Sequence, residues 1–298
     1  MTRLLHDQFA KQFLEELLSP FGEVKTSQNI AAEVRQVDVL FVPKTPNAIA
    51  LRSLGLLGKM AATSAIFEPF RNPVTADEVC SCVLKLLILQ ADRDREAKRD
   101  DRELADDRCQ LWILTPTASP DLLARFGAKL KKDKGVYYLA EGFKSAIVVI
   151  HKLPRTPQTL WLRMLGRGNV QQGAIAEFNA LPNGTPFKDD ILQVLSNFFA
   201  LLEVRRDLTS EDQELAMQLS PLYLERLQTA TEQGIERGIR TEIFASISIV
   251  LELKFGTEGL ALMPEIEAIT DLETLRSIRE GLRTASTLEE VRQLYCSE

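Results

Sequence analysis

Two acids stand inside apolar, strand-like stretches: Asp38 in Val34-Arg-Gln-Val-Asp-Val-Leu-Phe-Val-Pro43, and Glu68 in Ile66-Phe-Glu-Pro-Phe-Arg71. A carboxylate taken out of water without a partner is costly, so such residues are hydrogen-bonded, ion-paired or bound to a metal. Along a strand, residues two apart share a face. Asp38 therefore goes with Gln36 and Leu40, and Glu68 with Ile66 and Phe70. If the two strands pair, the acids converge. Two carboxylates with backbone carbonyls and water suit Mg²⁺, which takes oxygen ligands and keeps part of its water shell. A metal so held can activate a water and neutralise charge on a phosphate. The same acids also admit a structural reading. Asp38 would then pair with Arg35 or another cation, and Glu68 would close its strand ahead of Pro69.

The elements that must position these acids follow from periodicity. Residues 7–18 (DQFAKQFLEELL) place Phe9, Phe13, Leu14, Leu17 and Leu18 on one helical stripe, with Asp7 as N-cap and Pro20 and Gly22 as stop. Strands are expected over 23–30, 34–42 and 62–68, with Pro43-Lys-Thr-Pro46 breaking the chain after the second. A helix over 75–91 opens with Thr75 and Glu78 at capping-box spacing. Residues 110–115 (QLWILT) read as a buried strand stopped by Pro116. A helix between the third and fourth strands predicts a parallel crossover. A short helix near 120–127 and strands at 135–140 and 145–151 complete an α/β unit ending near residue 154.

From Pro154 on, the pattern is helical. Helices are expected at 156–165, 169–181 and 189–203, and a long one runs from Glu211 to about Phe255 with a weak point at Ser220-Pro221. Short helices follow at 263–269, 271–283 and 287–295. The organisation expected is an α/β domain over 1–154, a helical extension over 155–210, and a long helix with a small helical domain over 211–298. The charge run Asp92–Arg108 reads as the solvated end of a helix and a surface loop.

Composition narrows the function classes. The chain has 298 residues, is 45% hydrophobic and carries a net charge of −6. That is ordinary for a globular protein, and it leaves room for a local basic patch but not for a basic chain overall. Met1-Thr-Arg-Leu-Leu-His-Asp turns polar at once, unlike a signal peptide. No apolar run reaches the roughly 18 residues of a membrane helix. A cytoplasmic protein with no membrane partner is expected. Cys80 and Cys82 do not share a helical face, Cys109 and Cys296 stand alone, and His6 and His151 are the only histidines, so no zinc set assembles. No Ser/His/Asp or Cys/His arrangement is supported either.

Trp112, Trp161, Tyr137 and Tyr138 fall at core-packing positions, and Gly166-Arg-Gly168 reads as a helix end and turn. Gly234-Ile-Glu-Arg-Gly238 admits a close helix pairing, a homo-oligomer contact or a hinge. Ile235, Ile239, Ile243, Ile247 and Val250 make an apolar stripe that needs a partner, either the C-terminal helices or a second chain.

The order helix–strand–strand(Asp)–strand(Glu)–helix–strand resembles the core of the PD-(D/E)XK nuclease superfamily. His6-Asp7-Gln-Phe-Ala-Lys11 followed by Arg35-Gln-Val-Asp38-Val-Leu-Phe is similar to the recombination-promoting nuclease (Rpn) family of transposase-like proteins. Glu68-Pro-Phe-Arg-Asn-Pro, Leu111-Trp-Ile-Leu and Leu160-Trp-Leu-Arg-Met-Leu-Gly-Arg-Gly resemble its cyanobacterial branch. The resemblance covers about residues 3–180, and the last 60 or so residues resemble a small helical domain of unknown function found at the end of such proteins.

It implies a restriction-endonuclease-like mixed sheet with flanking helices, followed by an all-helical C-terminal region. It further implies Mg²⁺-dependent cleavage of DNA, with Asp38 and Glu68 as metal ligands and Glu15 or Glu16 as a further acidic ligand. The family pattern after the glutamate is Glu-x-Lys or Glu-x-Gln, and here the chain departs from it with Glu68-Pro69-Phe70. Phenylalanine cannot position a water or stabilise developing charge. Lys85 on the following helix, or Arg71, is the candidate for a displaced catalytic cation. The alternative is a catalytically inactive nuclease-fold protein acting as a helix-mediated interaction or scaffold protein.

Overall fold

Leu5, Phe9, Phe13, Leu14, Leu17 and Leu18, all buried, bind helix α1 (Thr2–Leu18) to the sheet beside it. The computed structural model describes residues 2–30, 35–44, 50–99, 109–205 and 208–295. Val34, Thr45, Pro46, the 100–108 part of the charge run and Cys296 lie outside the described residues, as does the side chain of Arg35. The chain divides into two units, Met1–Tyr223 and Leu224–Glu298.

In the first unit, α1 is followed by β1 (Gly22–Ile30), β2 (Arg35–Pro43), α2 (Leu56–Met60), β3 (Ala65–Pro69), α3 (Ala76–Arg99) and β4 (Gln110–Thr115). Then come α4 (Pro120–Arg125), β5 (Lys129–Leu130), β6 (Val136–Tyr138), β7 (Ser145–Val149), α5 (Leu160–Met164), α6 (Gly168–Asn179) and α7 (Lys188–Glu203). The strands form one seven-stranded mixed sheet in the order β1-β2-β3-β4-β7-β6-β5. β3 and β4 are parallel, as the crossover through α3 requires, and β4 and β7 are parallel too; the other neighbours are antiparallel.

Strand alternation divides the core in two. Phe41, Phe67, Leu114 and Val148 face α1, α2 and α5 to α7, while Leu40, Ile66, Ile113 and Val149 face α3 and α4. The helices between residues 160 and 203 thus share the sheet's own core. Trp112 and Trp161 are core residues whose indole N–H groups donate to the carbonyls of Met60 and Ser53.

Several boundaries differ from the sequence expectation. Asp7 does not cap α1, because buried Leu5 extends the apolar stripe and the helix starts before it. The helix expected at 75–91 runs to Arg99, where an Arg95–Asp92 ion pair at 2.6 Å supports its charged end. Its start is as expected: Thr75 N–H and Oγ1 donate to Glu78 Oε2 at 2.9 and 3.0 Å, and Glu78 N–H returns a bond to Thr75 Oγ1. The segment expected as one helix at 156–165 is a 3₁₀ turn at Pro157–Thr159 followed by α5.

Helix α8 (Ser210–Leu260) begins in the first unit, and its residues from Leu224 on belong to the second. Its backbone passes through Pro221 and leaves helical geometry at Gly256, not at the Ser220-Pro221 step. In the second unit, Ile243, Ile247 and Leu251 of α8 are buried against α9 (Met263–Glu267), α10 (Leu272–Gly281) and α11 (Leu288–Gln293) through Ile266, Leu275, Ile278 and Val291. The apolar stripe therefore finds its partner in the C-terminal helices. Ile235 stays exposed, and space is open beside Gly234 and Gly238. Among the described residues, no helix is long and apolar enough to cross a membrane.

Candidate functional site

The β2–β3 ladder pairs Phe41 with Ala65, Leu40 with Ile66 and Val39 with Phe67. One step beyond its last pair stand Asp38 and Glu68, where the backbone N–H of Asp38 donates to Glu68 Oε1 at 3.4 Å. The acids are neighbours, but their carboxylates are held separately. Asp38 Oδ1 lies 2.9 Å from Lys11 Nζ on α1, and Glu68 Oε2 lies 2.7 Å from Lys85 Nζ on α3. Since α1 and α3 cover opposite faces of the sheet, each acid takes its cation from a different layer.

The local sequence explains both lysines. Asp7 and Lys11 stand four apart on α1, and Asp7 Oδ2 is 2.9 Å from Lys11 Nζ. The same ammonium donates to Ser27 Oγ at 3.4 Å, from a β1 residue whose φ is 56°. Lys11 thus bridges Asp7 and Asp38. Burial pulls its pKa down, but the bonds from Asp7 and Asp38 outweigh that and hold it above the ordinary value. On α3, Val79, Cys82 and Leu86 make the buried stripe, and Lys85 follows Cys82 onto the sheet side. Burial again opposes the charge of Lys85, and Glu68 outweighs it.

Glu68 is 1% exposed. Burial, and then the charge of Asp38, push its pKa up to about 7 against the pull of Lys85. The Cys82 thiol stands 3.8 Å from Glu68 Oε2, and burial raises its own pKa, so it serves there as a neutral, weak donor.

A cleft of about 420 Å³ opens beside Asp38, lined also by His6, Asp7, Phe70, Arg71 and Gln171. Of the two cations near the acids in sequence, Lys85 is on Glu68. Arg71 is tied elsewhere: its Nη1 donates to Gly166 O and Gln171 Oε1, both at 3.1 Å, and its Nη2 is 3.5 Å from Asp212 Oδ1. Phe70 forms part of the cleft wall. Glu15 is exposed on α1 and Glu16 is half-buried there. Among the described residues, no group of three His, Cys, Asp or Glu side chains is placed to hold a metal.

His6, on the cleft wall, belongs to a pair that sequence reasoning missed. His6 Nε2 lies 2.7 Å from Asp212 Oδ1, with both side chains buried and a sequence separation of 206. Asp212 also accepts from Thr209 Oγ1 at 2.7 Å, closing a cap at the start of α8. Burial, then the nearby Arg71 charge, lower the His6 pKa to about 4. The imidazole is therefore neutral at neutral pH and the carboxylate is its acceptor. The His6-Asp7 step was visible in the sequence, but nothing local pointed to residue 212. Comparison of the chain with protein-family models, curated proteins and solved structures found no match.

Proposed function

We propose that this chain is a Mg²⁺-dependent DNA endonuclease with a restriction-endonuclease-like fold, as its resemblance to the Rpn family implies. The observation that carries the reading is a trio assembled from three elements. Asp38 on β2 and Glu68 on β3 are adjacent, and the Lys85 ammonium on α3 sits 2.7 Å from Glu68. A lysine supplied by the helix after the glutamate replaces the one lost at Phe70.

The donor chemistry fits the ion. Asp38 and Glu68 offer the hard oxygens that Mg²⁺ takes, and the Lys11 ammonium, 2.9 Å from both Asp7 and Asp38, marks a place that already holds a cation. Asp38 and Glu68 would hold the metal, with backbone carbonyls and water completing its shell. When bound, the ion supplies water activation and charge neutralisation at phosphorus. The chain's own residues do the rest. Lys85 keeps Glu68 oriented and favours its ionised form, Lys11 keeps Asp38 aimed at the cleft until it is displaced, and Phe70 gives the cleft an apolar wall.

A second reading is an inactive nuclease-fold protein that acts through its helices. It is favoured by the two lysines that already satisfy both acids and by Phe70 at the family's Lys/Gln position. The test is cleavage of single- and double-stranded DNA with and without Mg²⁺ or Mn²⁺, for wild type, Asp38→Ala and Lys85→Met. The nuclease reading expects metal-dependent cleavage that both substitutions abolish. Wild-type activity no higher than that of Asp38→Ala on every substrate would overturn it in favour of the second reading.

A further inference from the structure

An acidic chain carries one strongly basic corner. Residues 129–134 read Lys-Leu-Lys-Lys-Asp-Lys, four lysines and one aspartate, within a chain of net charge −6. They form β5 and the turn into β6, at the edge of the sheet, and all four lysines are exposed. The one acid is already neutralised, since Asp133 Oδ1 accepts from Lys59 Nζ at 3.3 Å. Two ammonium groups are fixed on the hairpin's tyrosines: Lys131 Nζ is 5.0 Å from the Tyr138 ring centre, and Lys152 Nζ is 5.2 Å from that of Tyr137. Lys152 also donates to the Tyr137 hydroxyl at 3.3 Å. Cation–π contacts of this kind hold a cation in place without removing its charge.

We infer that this lysine-rich hairpin is a binding surface for the phosphate backbone of nucleic acid. A narrow edge whose first strand and turn carry four exposed lysines and one ion-paired aspartate fits a line of phosphates. A membrane surface would call for more exposed apolar area than the hairpin offers through Leu130 and Phe143. Five strand spacings separate β5 from β2, about 24 Å, so the surface is distinct from the acid pair. It needs neither a metal nor an intact cleft. Phosphate contacts supply affinity and register rather than sequence choice, so the binding is expected to be independent of base sequence.

The experiment is fluorescence anisotropy with a labelled 20-base-pair duplex in EDTA, which separates binding from cleavage, over a range of salt. If the four lysines each neutralise a phosphate, log K falls with log salt at a slope of about −3.6, or roughly 100-fold between 50 and 200 mM. The variant with Lys129, Lys131, Lys132 and Lys134 all changed to Gln should lose that slope and bind at least 10-fold more weakly at 50 mM. An unchanged slope in the variant would overturn the inference. So would wild type binding phosphatidylserine vesicles but not DNA. A third contrary result is wild type that ignores DNA while the folded variant self-associates; the lysines would then only guard a sheet edge against pairing.

Discussion

Glu68 and His6 should make stability depend on pH with opposite signs, and single substitutions should unmask each. Glu68 moves from an ordinary value of 4.5 up to about 7 in the folded chain. The folded state then binds more protons than the unfolded state between those values. Glu68's contribution is full below pH 4.5 and is lost as pH rises through 7. His6 moves from 6.5 down to about 4. The folded state binds fewer protons there, so its contribution is full above pH 6.5 and is lost as pH falls through 4. Each displacement corresponds to about 3 kcal/mol at roughly 1.4 kcal/mol per pH unit. The windows overlap between pH 4.5 and 6.5, where the two slopes should nearly cancel in wild type. In Glu68→Gln, stability should rise with pH across that window by about 2–3 kcal/mol, and in His6→Gln it should fall by a similar amount. Both tryptophans are core residues of the first unit, so urea unfolding followed by tryptophan fluorescence in metal-free buffer reads that unit. Profiles of both variants that match wild type within about 0.5 kcal/mol would refute the assigned shifts and the burial behind them.

Two further outcomes can be measured the same way. Lys85→Met leaves Glu68 buried without its ammonium, and it should cost about 3–5 kcal/mol at pH 8 but much less at pH 5, where Glu68 is protonated; an equal cost at both pH values would assign Lys85 only a packing role. Thr75→Ala removes the reciprocal cap at the start of α3 and should lower stability by about 1 kcal/mol, with no change in the pH profile.

The elements were far more legible than the contacts among them. β4 is bounded by Pro116 and a buried apolar run, the α3 cap by Thr75 and Glu78, and the parallel β3–β4 pairing by the length of the helix between them. Each is a local signal. Asp7 misled because a good capping residue lay inside a helix whose apolar stripe starts at Leu5. Helix α2 escaped notice because five residues around a glycine show no period. Gly58 is there because the carbonyl of Leu51 would lie 1.8 Å from any Cβ, a constraint set by packing. At the site, the strand pattern gave the adjacency of Asp38 and Glu68. Lys85, on the helix after Glu68, was also within reach of the sequence; Lys11, from the helix on the other side of the sheet, was not, because no spacing rule reaches across the sheet. The His6–Asp212 pair is less legible still, because the chain that joins its partners passes through the whole unit.

That pair also sets a timetable. Phe9 stacks on Phe198 with ring centres 4.6 Å apart, and His6 finds its acceptor only at Asp212, 206 residues on. At a synthesis rate of about 5–20 residues per second, α1 waits roughly 10–40 s for those partners to leave the ribosome. During that interval the stripe of Leu5, Phe9 and Phe13 has no α7 to cover it. A nascent chain halted before α7 should therefore be a chaperone client, and one extended past α8's first turns should not.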